Sequence, residues 1–114
     1  MGETAATHVV NNSDANRFEI LVDGQLAGYT TYHRNHARIV FIHTEIDERH
    51  RGRGLASALA RHVVEDATAR DLTIVPVCPV VAGWLRKHPD APANVDWDAA
   101  TALTAEAKKT DTAG

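Results

Sequence analysis

Between Arg17 and Ile46 the apolar residues follow a two-residue rhythm, and further along the chain the rhythm changes. In "RFEILVDG", Phe18, Ile20 and Val22 alternate with Arg17, Glu19 and Asp23, which predicts a half-buried edge strand. Asp23-Gly24 is a hairpin signal, because both turn positions need positive φ. A second strand rich in Thr and Tyr is predicted over Leu26–Arg34, with Tyr29 and Tyr32 on opposite faces, followed by a turn at Asn35-His36. The third strand, over Ala37–Ile46, is apolar on both faces, with Ile39 and Phe41 on one and Val40, Ile42 and Ile46 on the other. That pattern predicts a central strand covered on both sides.

After a short polar loop the period lengthens. Leu55, Leu59, Val63 and Ala67 recur every four residues, with Arg61, Glu65 and Thr68 on the wet side, so a helix is predicted up to Arg70-Asp71. "LTIVPV" follows as a short buried strand, and strand–helix–strand implies a right-handed crossover between parallel neighbours. Pro76 removes a ladder donor, so this strand is expected to lose its partner near its C-terminal end. "CPVVAGWLRKHPD" predicts a second, shorter helix with Pro79 in its first turn and Pro89 marking its end. The fold class is therefore α/β (α+β): antiparallel strands, then β-α-β, then a short C-terminal helix. From Ala91 onward Ala, Thr, Asp and Lys dominate, which reads either as a weak helix from Asp96 to Lys109 with Trp97 docked on the body, or as a loose tail. The expected division is a domain over residues 1–90 and a tail over 91–114.

Length and charge narrow the function. A chain of 114 residues suggests one domain. A net charge of −3 gives no basic field of the kind that drives nonspecific nucleic-acid binding, so no nucleic-acid partner is expected and any anion site must be local. The single cysteine, Cys78, rules out an internal disulfide and suits a reducing compartment, hence a cytoplasmic location. No apolar run reaches the roughly 20 residues of a membrane span, and "MGETAATHVV" lacks the pattern of a signal peptide. The histidines fall in no metal-ligand spacing, so no metal site is expected.

The local anion site has an obvious candidate in "DERHRGRGLASALARHV", Asp47 to Val63. A glycine-rich turn feeding a helix gathers unpaired N–H groups at the positive end of the helix macrodipole. Gly52 and Gly54 let backbone approach a diphosphate, and Arg49, Arg51 and Arg53 can add charge-assisted hydrogen bonds. The loop has neither the Gly-Lys-Ser/Thr ending of a Walker loop nor the third glycine of a dinucleotide fingerprint.

Arg49-His50-Arg51-Gly52-Arg53-Gly54 resembles the Arg/Gln-x-x-Gly-x-Gly/Ala loop of the GCN5-related N-acetyltransferases. "HTEIDERHRGRGLASALARHVV" together with "VPVCPVVAGWLRKHP" is similar to the small stand-alone proteins of that family, over Phe18 to Asp90. The resemblance implies that acetyl-CoA is the co-substrate, its pyrophosphate held by Arg49, Gly52, Gly54 and the neighbouring backbone of Leu55 and Ala56, with Arg51 and Arg53 as helpers. It also implies that the two parallel strands splay apart, admitting the pantetheine arm to pair with the backbone of Ile42 and Thr44. The helices that larger members carry between their first two strands, and their C-terminal strands, have no counterpart here.

Acetyl transfer to an amine needs donors for the thioester carbonyl, a base for the amine, and an acid for the leaving thiolate where one is used. His43 and Glu45 lie two apart on one strand, share a face, and are the candidate bases. Thr44 points to the other face and reads as structural. Cys78, at the start of the second helix, is expected across the splay from His43 and Glu45, either accepting the acetyl group or lining the tunnel. The expected activity is N-acetylation of a small amine, a peptide N-terminus or a lysine. The alternative is a noncatalytic acyl-CoA-binding or partner-binding module on the same fold. The chain is expected to be a monomer, or a homodimer formed through its exposed first strand.

Overall fold

The computed structural model of the protein describes residues 6–104. In chain order the elements are β1 (Thr7–Asn12), β2 (Arg17–Val22), β3 (Gln25–Arg34), β4 (Arg38–Ile46), α1 (Leu55–Ala69), β5 (Thr73–Pro76) and α2 (Pro79–Lys87). The strands form one sheet in the order β1-β2-β3-β4-β5. Pairing is antiparallel from β1 to β4, and β5 lies parallel to β4. This is the mixed architecture that the strand–strand–strand–helix–strand–helix pattern predicts.

Local chemistry accounts for the connections. Asp23 and Gly24 both take positive φ, 50° and 80°, and close the β2–β3 hairpin. Asn35 Oδ1 accepts from the N–H groups of Ala37 and Arg38, each at 2.8 Å, and so shapes the β3–β4 turn. Pro79 opens α2, where its missing N–H costs nothing.

The core lies between one face of the sheet and the helices. Leu55, Leu59, Ala60, Val63, Val64 and Ala67 form the buried stripe of α1. They meet Phe18, Ile20, Tyr32, Ile39 and Phe41 from the strands, and Val81 and Leu85 from α2. Each large side chain fully removed from water contributes about 1.5–3 kcal/mol.

Two expectations are corrected. The strand carrying Phe18 is not an edge, since β1 pairs along it from Thr7↔Val22 to Asn12↔Arg17, so it is not the strand through which a homodimer was expected to form. "THVVNN" has only two adjacent apolar residues, Val9 and Val10, and no alternation to announce a strand. Nor is β4 covered on both faces, because Val40 is only partly buried and Ile42 is 45% exposed. A bulge explains the misleading pattern. Thr31 pairs with His43 and Tyr32 with Phe41, which leaves Ile42 as an extra residue. Before the bulge Ile39 and Phe41 face α1; after it, Thr44 and Ile46 do.

The chain beyond α2 stays with the body. Ile74 N–H donates to Asn94 O at 2.8 Å and Asp96 N–H to Ile74 O at 2.9 Å, so Val95 bridges to the outer edge of β5. Asp96 also accepts from Ala99 N–H, which caps the helical residues 97–104, and pairs with Arg38. Arg86 stacks over the Trp97 ring at 4.8 Å. The rest of the proposed tail helix, 105–109, lies outside the described residues. No helix among the described residues is long and apolar enough to cross a membrane.

Candidate active site

β4 has two strand partners for only part of its length. Its pairing with β5 ends at Phe41↔Pro76, and Cys78 N–H to Phe41 O, at 2.8 Å, is the last bond before the two segments part. Pro76 stands at the point of divergence, as its lack of a donor predicts. Beyond it the direction of the β4 backbone follows from three observations. His43 O accepts from Thr31 Oγ1, Glu45 O lies 2.7 Å from where a Cβ on Gly28 would sit, and Asp47 N–H donates to Ala27 O. All three groups face β3. Alternation therefore turns the main-chain groups of Thr44 and Ile46 to the opposite, open side. Gly28 is what permits this close approach of β3 to β4, because a Cβ there would also sit 2.6 Å from Ile46 Cδ1.

The loop that follows is built to present backbone. Asp47 Oδ1 accepts from Arg49 N–H at 2.9 Å and caps a single 3-10 turn, Glu48–His50. Gly52 and Gly54 then adopt φ of +81° and +75°, a region that residues with a Cβ enter only under strain. Gly54 caps α1 without a side chain, and no acidic residue occupies the first turn. Ala58 N–H is the first to close the helix, on Gly54 O. The preceding amides of α1, including Leu55 and Ala56, thus carry the helix dipole's positive end with no side-chain acceptor.

The open edge and the loop meet in a cavity of about 390 Å³ lined by Thr44, Glu45, Ile46, His50, Arg51, Gly52, Gly54, Leu55 and Ala56. The arrangement fits an elongated polyanionic ligand: amides without acceptors at one end, an unpaired strand edge at the other, and no Cβ at the two positive-φ positions. Of the loop and strand residues singled out from the sequence, Thr44, Arg51, Gly52, Gly54, Leu55 and Ala56 line this space, as does Glu45. Arg53 is exposed beside it, and Ile42 stands at the bulge.

Arg49 is placed differently from expectation. Its guanidinium is bound to Asp47, with Nε 3.3 Å from Oδ1 and Nη2 3.2 Å from Oδ2, and it does not line the cavity. These hydrogen bonds from Arg49, the guanidinium first and then the backbone N–H, hold the Asp47 carboxyl down at about 2. An Asx cap joining residues two apart is a matter of turn geometry, which charge spacing along the sequence does not reveal.

The candidate chemistry divides between the two faces of β4. His43 Nε2 and Glu45 Oε1 are 2.6 Å apart, and both side chains are about half exposed. On the opposite, α1-facing side, Thr44 Oγ1 is 2.8 Å from Thr30 Oγ1 and 3.1 Å from Cys78 Sγ. Cys78 is fully buried. The structure therefore brings Cys78 to Thr44, across the strand from His43 and Glu45. The expectation of a thiol facing that pair fails because the thiol packs inward, where the bulge also directs Thr44.

His50 was not singled out for this site from the sequence. It lines the cavity, and its Nδ1 is sealed from solvent without a hydrogen-bond partner among the described residues. Standing between two arginines in a loop read for its glycines and guanidinium groups, it carries no sequence signal of its own. Among the described residues no group of three or more His, Cys, Asp or Glu side chains is placed to hold a metal ion.

Comparison with known proteins gives the same outline. The crystal structure of a ribosomal-protein-alanine N-acetyltransferase from Brucella melitensis biovar Abortus 2308 superposes with a TM-score of 0.54 at 17% identity. The match covers 83% of this chain and 95% of that one, and it shows the shared fold. No curated protein sequence matches the chain. The family profile described as GCN5-related N-acetyl-transferase matches residues 17–95, well over half of the 114, and spans β2 to the Val95 bridge, including the whole cavity. The chain belongs to the GCN5-related N-acetyltransferase family.

Proposed function

We propose that the protein binds acetyl-CoA in the cavity between the open edge of β4 and the Gly52–Gly54 loop, and transfers its acetyl group to a primary amine. The observation that carries this reading is the convergence, in one space, of uncapped α1 amides with the unpartnered Thr44 and Ile46 edge of β4. The coenzyme supplies an activated thioester carbonyl. On this reading the backbone of Gly52, Gly54, Leu55 and Ala56 holds the pyrophosphate, aided by Arg51 and Arg53. Edge amides of β4 align the pantetheine arm and polarise the carbonyl. Glu45, oriented by His43, takes the ammonium proton; the freed amine then attacks the carbonyl, the C–N bond forms and the C–S bond breaks, and the coenzyme leaves as a thiolate that takes up the second proton shed by the nitrogen.

Transfer is direct in this scheme, because the Cys78 thiol is buried on the face of β4 away from the His43–Glu45 pair. The acceptor is a small amine, a peptide N-terminus or a lysine. The test is calorimetry with acetyl-CoA, followed by thiol release in the presence of amines and lysine peptides. Wild-type protein should bind and turn over. Glu45→Gln should lower turnover by about 10²–10⁴ with binding retained, and Cys78→Ala should keep most of the activity. A stoichiometric acetyl adduct on Cys78 by intact-mass analysis overturns the direct route. Binding with no thiol release for any amine favours the noncatalytic acyl-CoA-binding module instead.

A further inference from the structure

The two edges of the sheet are finished in different ways. At β5 the edge is closed by the chain itself, through the Val95 bridge to Ile74. At the other edge, among the described residues, β1 has β2 as its one strand partner. Soluble proteins blunt such edges with charge, proline or a bulge. β1 has none of these devices: "THVVNN" contains no Asp, Glu, Lys, Arg or Pro, and its register with β2 runs without a shift. Its Val10 is 44% exposed. Asp23 N–H donates to Ala6 O at 2.8 Å, so the main chain of Ala6 faces β2. Alternation along the regular strand then turns the main-chain groups of Val9 and Asn11 outward.

We propose that β1 pairs antiparallel with β1 of a second copy of this chain, about a two-fold axis between the two Val10 residues, so that the two sheets become one continuous sheet. The strand is its own complement in this register. Val9 of each copy opposes Asn11 of the other, and each such pair exchanges two N–H···O bonds through the outward groups. Val10 opposes Val10 at a non-hydrogen-bonded position, where side chains approach most closely, so the exposed apolar groups cover each other. His8 opposes Asn12, and no pair sets like fixed charges together. Opposed residues in an antiparallel ladder share a face, so α1 of both copies lies on the same side of the merged sheet. A second copy is the occupant these observations favour, because the two-fold register sets the exposed Val10 against its own equivalent and brings no Asp, Glu, Lys or Arg side chains of the strand together. The interface is one strand wide, so association is expected to be weak, with a dissociation constant on the order of 10–100 µM.

Sedimentation equilibrium of the full chain from about 1 µM to about 1 mM should show a monomer–dimer transition within that range. Val9→Pro removes an outward donor without touching the β1–β2 bonds and should abolish the transition. Val10→Lys places like charges on the axis and should do the same; it decides the matter if Val9→Pro proves unfolded by circular dichroism. Val10→Cys should form an interchain disulfide on mild oxidation, since Cα atoms at such a position lie about 4.5 Å apart. The buried Cys78 does not compete. A wild-type monomer at every concentration, or a dimer that survives Val10→Lys in folded protein, overturns the proposal.

Discussion

The two halves of β4 make opposite use of one strand. From Ile39 to Phe41 it is paired on both sides, and Ile39 and Phe41 are 2% and 0% exposed beneath α1. From Thr44 to Ile46 it is paired, among the described residues, with β3 alone, and its open edge lines a cavity. Two small local features separate the halves. The bulge at Ile42 moves the α1-facing positions from odd residues to even ones, and Pro76 stops the β5 ladder at Phe41. The first half binds the sheet to the helices. The second, relieved of that duty, leaves main-chain groups free for a ligand. On the proposed reading a single strand thus serves as core and as site, because what makes a strand stable, a full set of ladder partners, also closes it to anything else.

The largest expected effect tests the first half. Phe41 is fully buried, with the Phe18 ring 6.5 Å away, so Phe41→Ala removes an aromatic ring from a filled core. Urea denaturation should show a loss of about 3–5 kcal/mol. The neighbouring substitution Ile42→Ala, at the exposed bulge, should change stability by no more than about 0.5 kcal/mol. Equal losses at the two positions would break the division between the halves.

The second half is tested through the loop that shares its cavity. Gly54→Glu brings a carboxylate to the uncapped end of α1, where it competes with an anionic ligand for the same amides. Calorimetry should show acetyl-CoA affinity falling at least about a hundredfold while the fold persists. Gly54→Ala is the control. An added Cβ meets nothing within 4 Å, so that variant bears only the strain of φ +75°, about 1–2 kcal/mol of stability, and adds no charge. Similar affinities for the two variants would locate the coenzyme elsewhere.

How much of this was legible in the sequence depends on the range of the interactions involved. Asp23-Gly24, the four-residue rhythm of α1, Pro76 and Pro79 are local signals with local consequences, and each element they announce is present. The glycines of the loop were legible for the same reason, since the freedom to bring backbone close to a ligand or to take positive φ comes with the missing Cβ. The β4 bulge was not. An extra residue in a ladder is defined by the partner strand, so an apolar run from Ile39 to Ile42 reads as a strand buried on both faces. The error carries into the site. Without the bulge, the contact of Thr44 with Cys78, and with it the separation of the thiol from His43 and Glu45, cannot be read from spacing. β1 escaped for a related reason, as it is held by pairing with β2 rather than by an amphipathic pattern of its own.

The smallest expected effect concerns the turn joining β4 to the glycine loop. Asp47 holds Arg49 beside the cavity rather than in it, and Asp47→Asn weakens that hold by removing the carboxylate charge. An exposed pair of this kind shifts an equilibrium by no more than about fivefold, so acetyl-CoA affinity should rise within that limit as Arg49 is released toward the phosphates. The same pair has a signature in acid. The Asp47 carboxyl is held at about 2 in the folded chain, below its ordinary value of 3.8. Its folded pKa is depressed, so its contribution to stability is fully present above the ordinary carboxyl range and is lost as pH falls toward about 2. Thermal melts should therefore separate wild type from Asp47→Asn by a constant amount at pH 5–8, and the two curves should converge between about pH 4 and pH 2. If the gap persists undiminished at the acid end, the carboxylate does not hold Arg49, and the guanidinium belongs with the ligand-facing groups of the second half of β4.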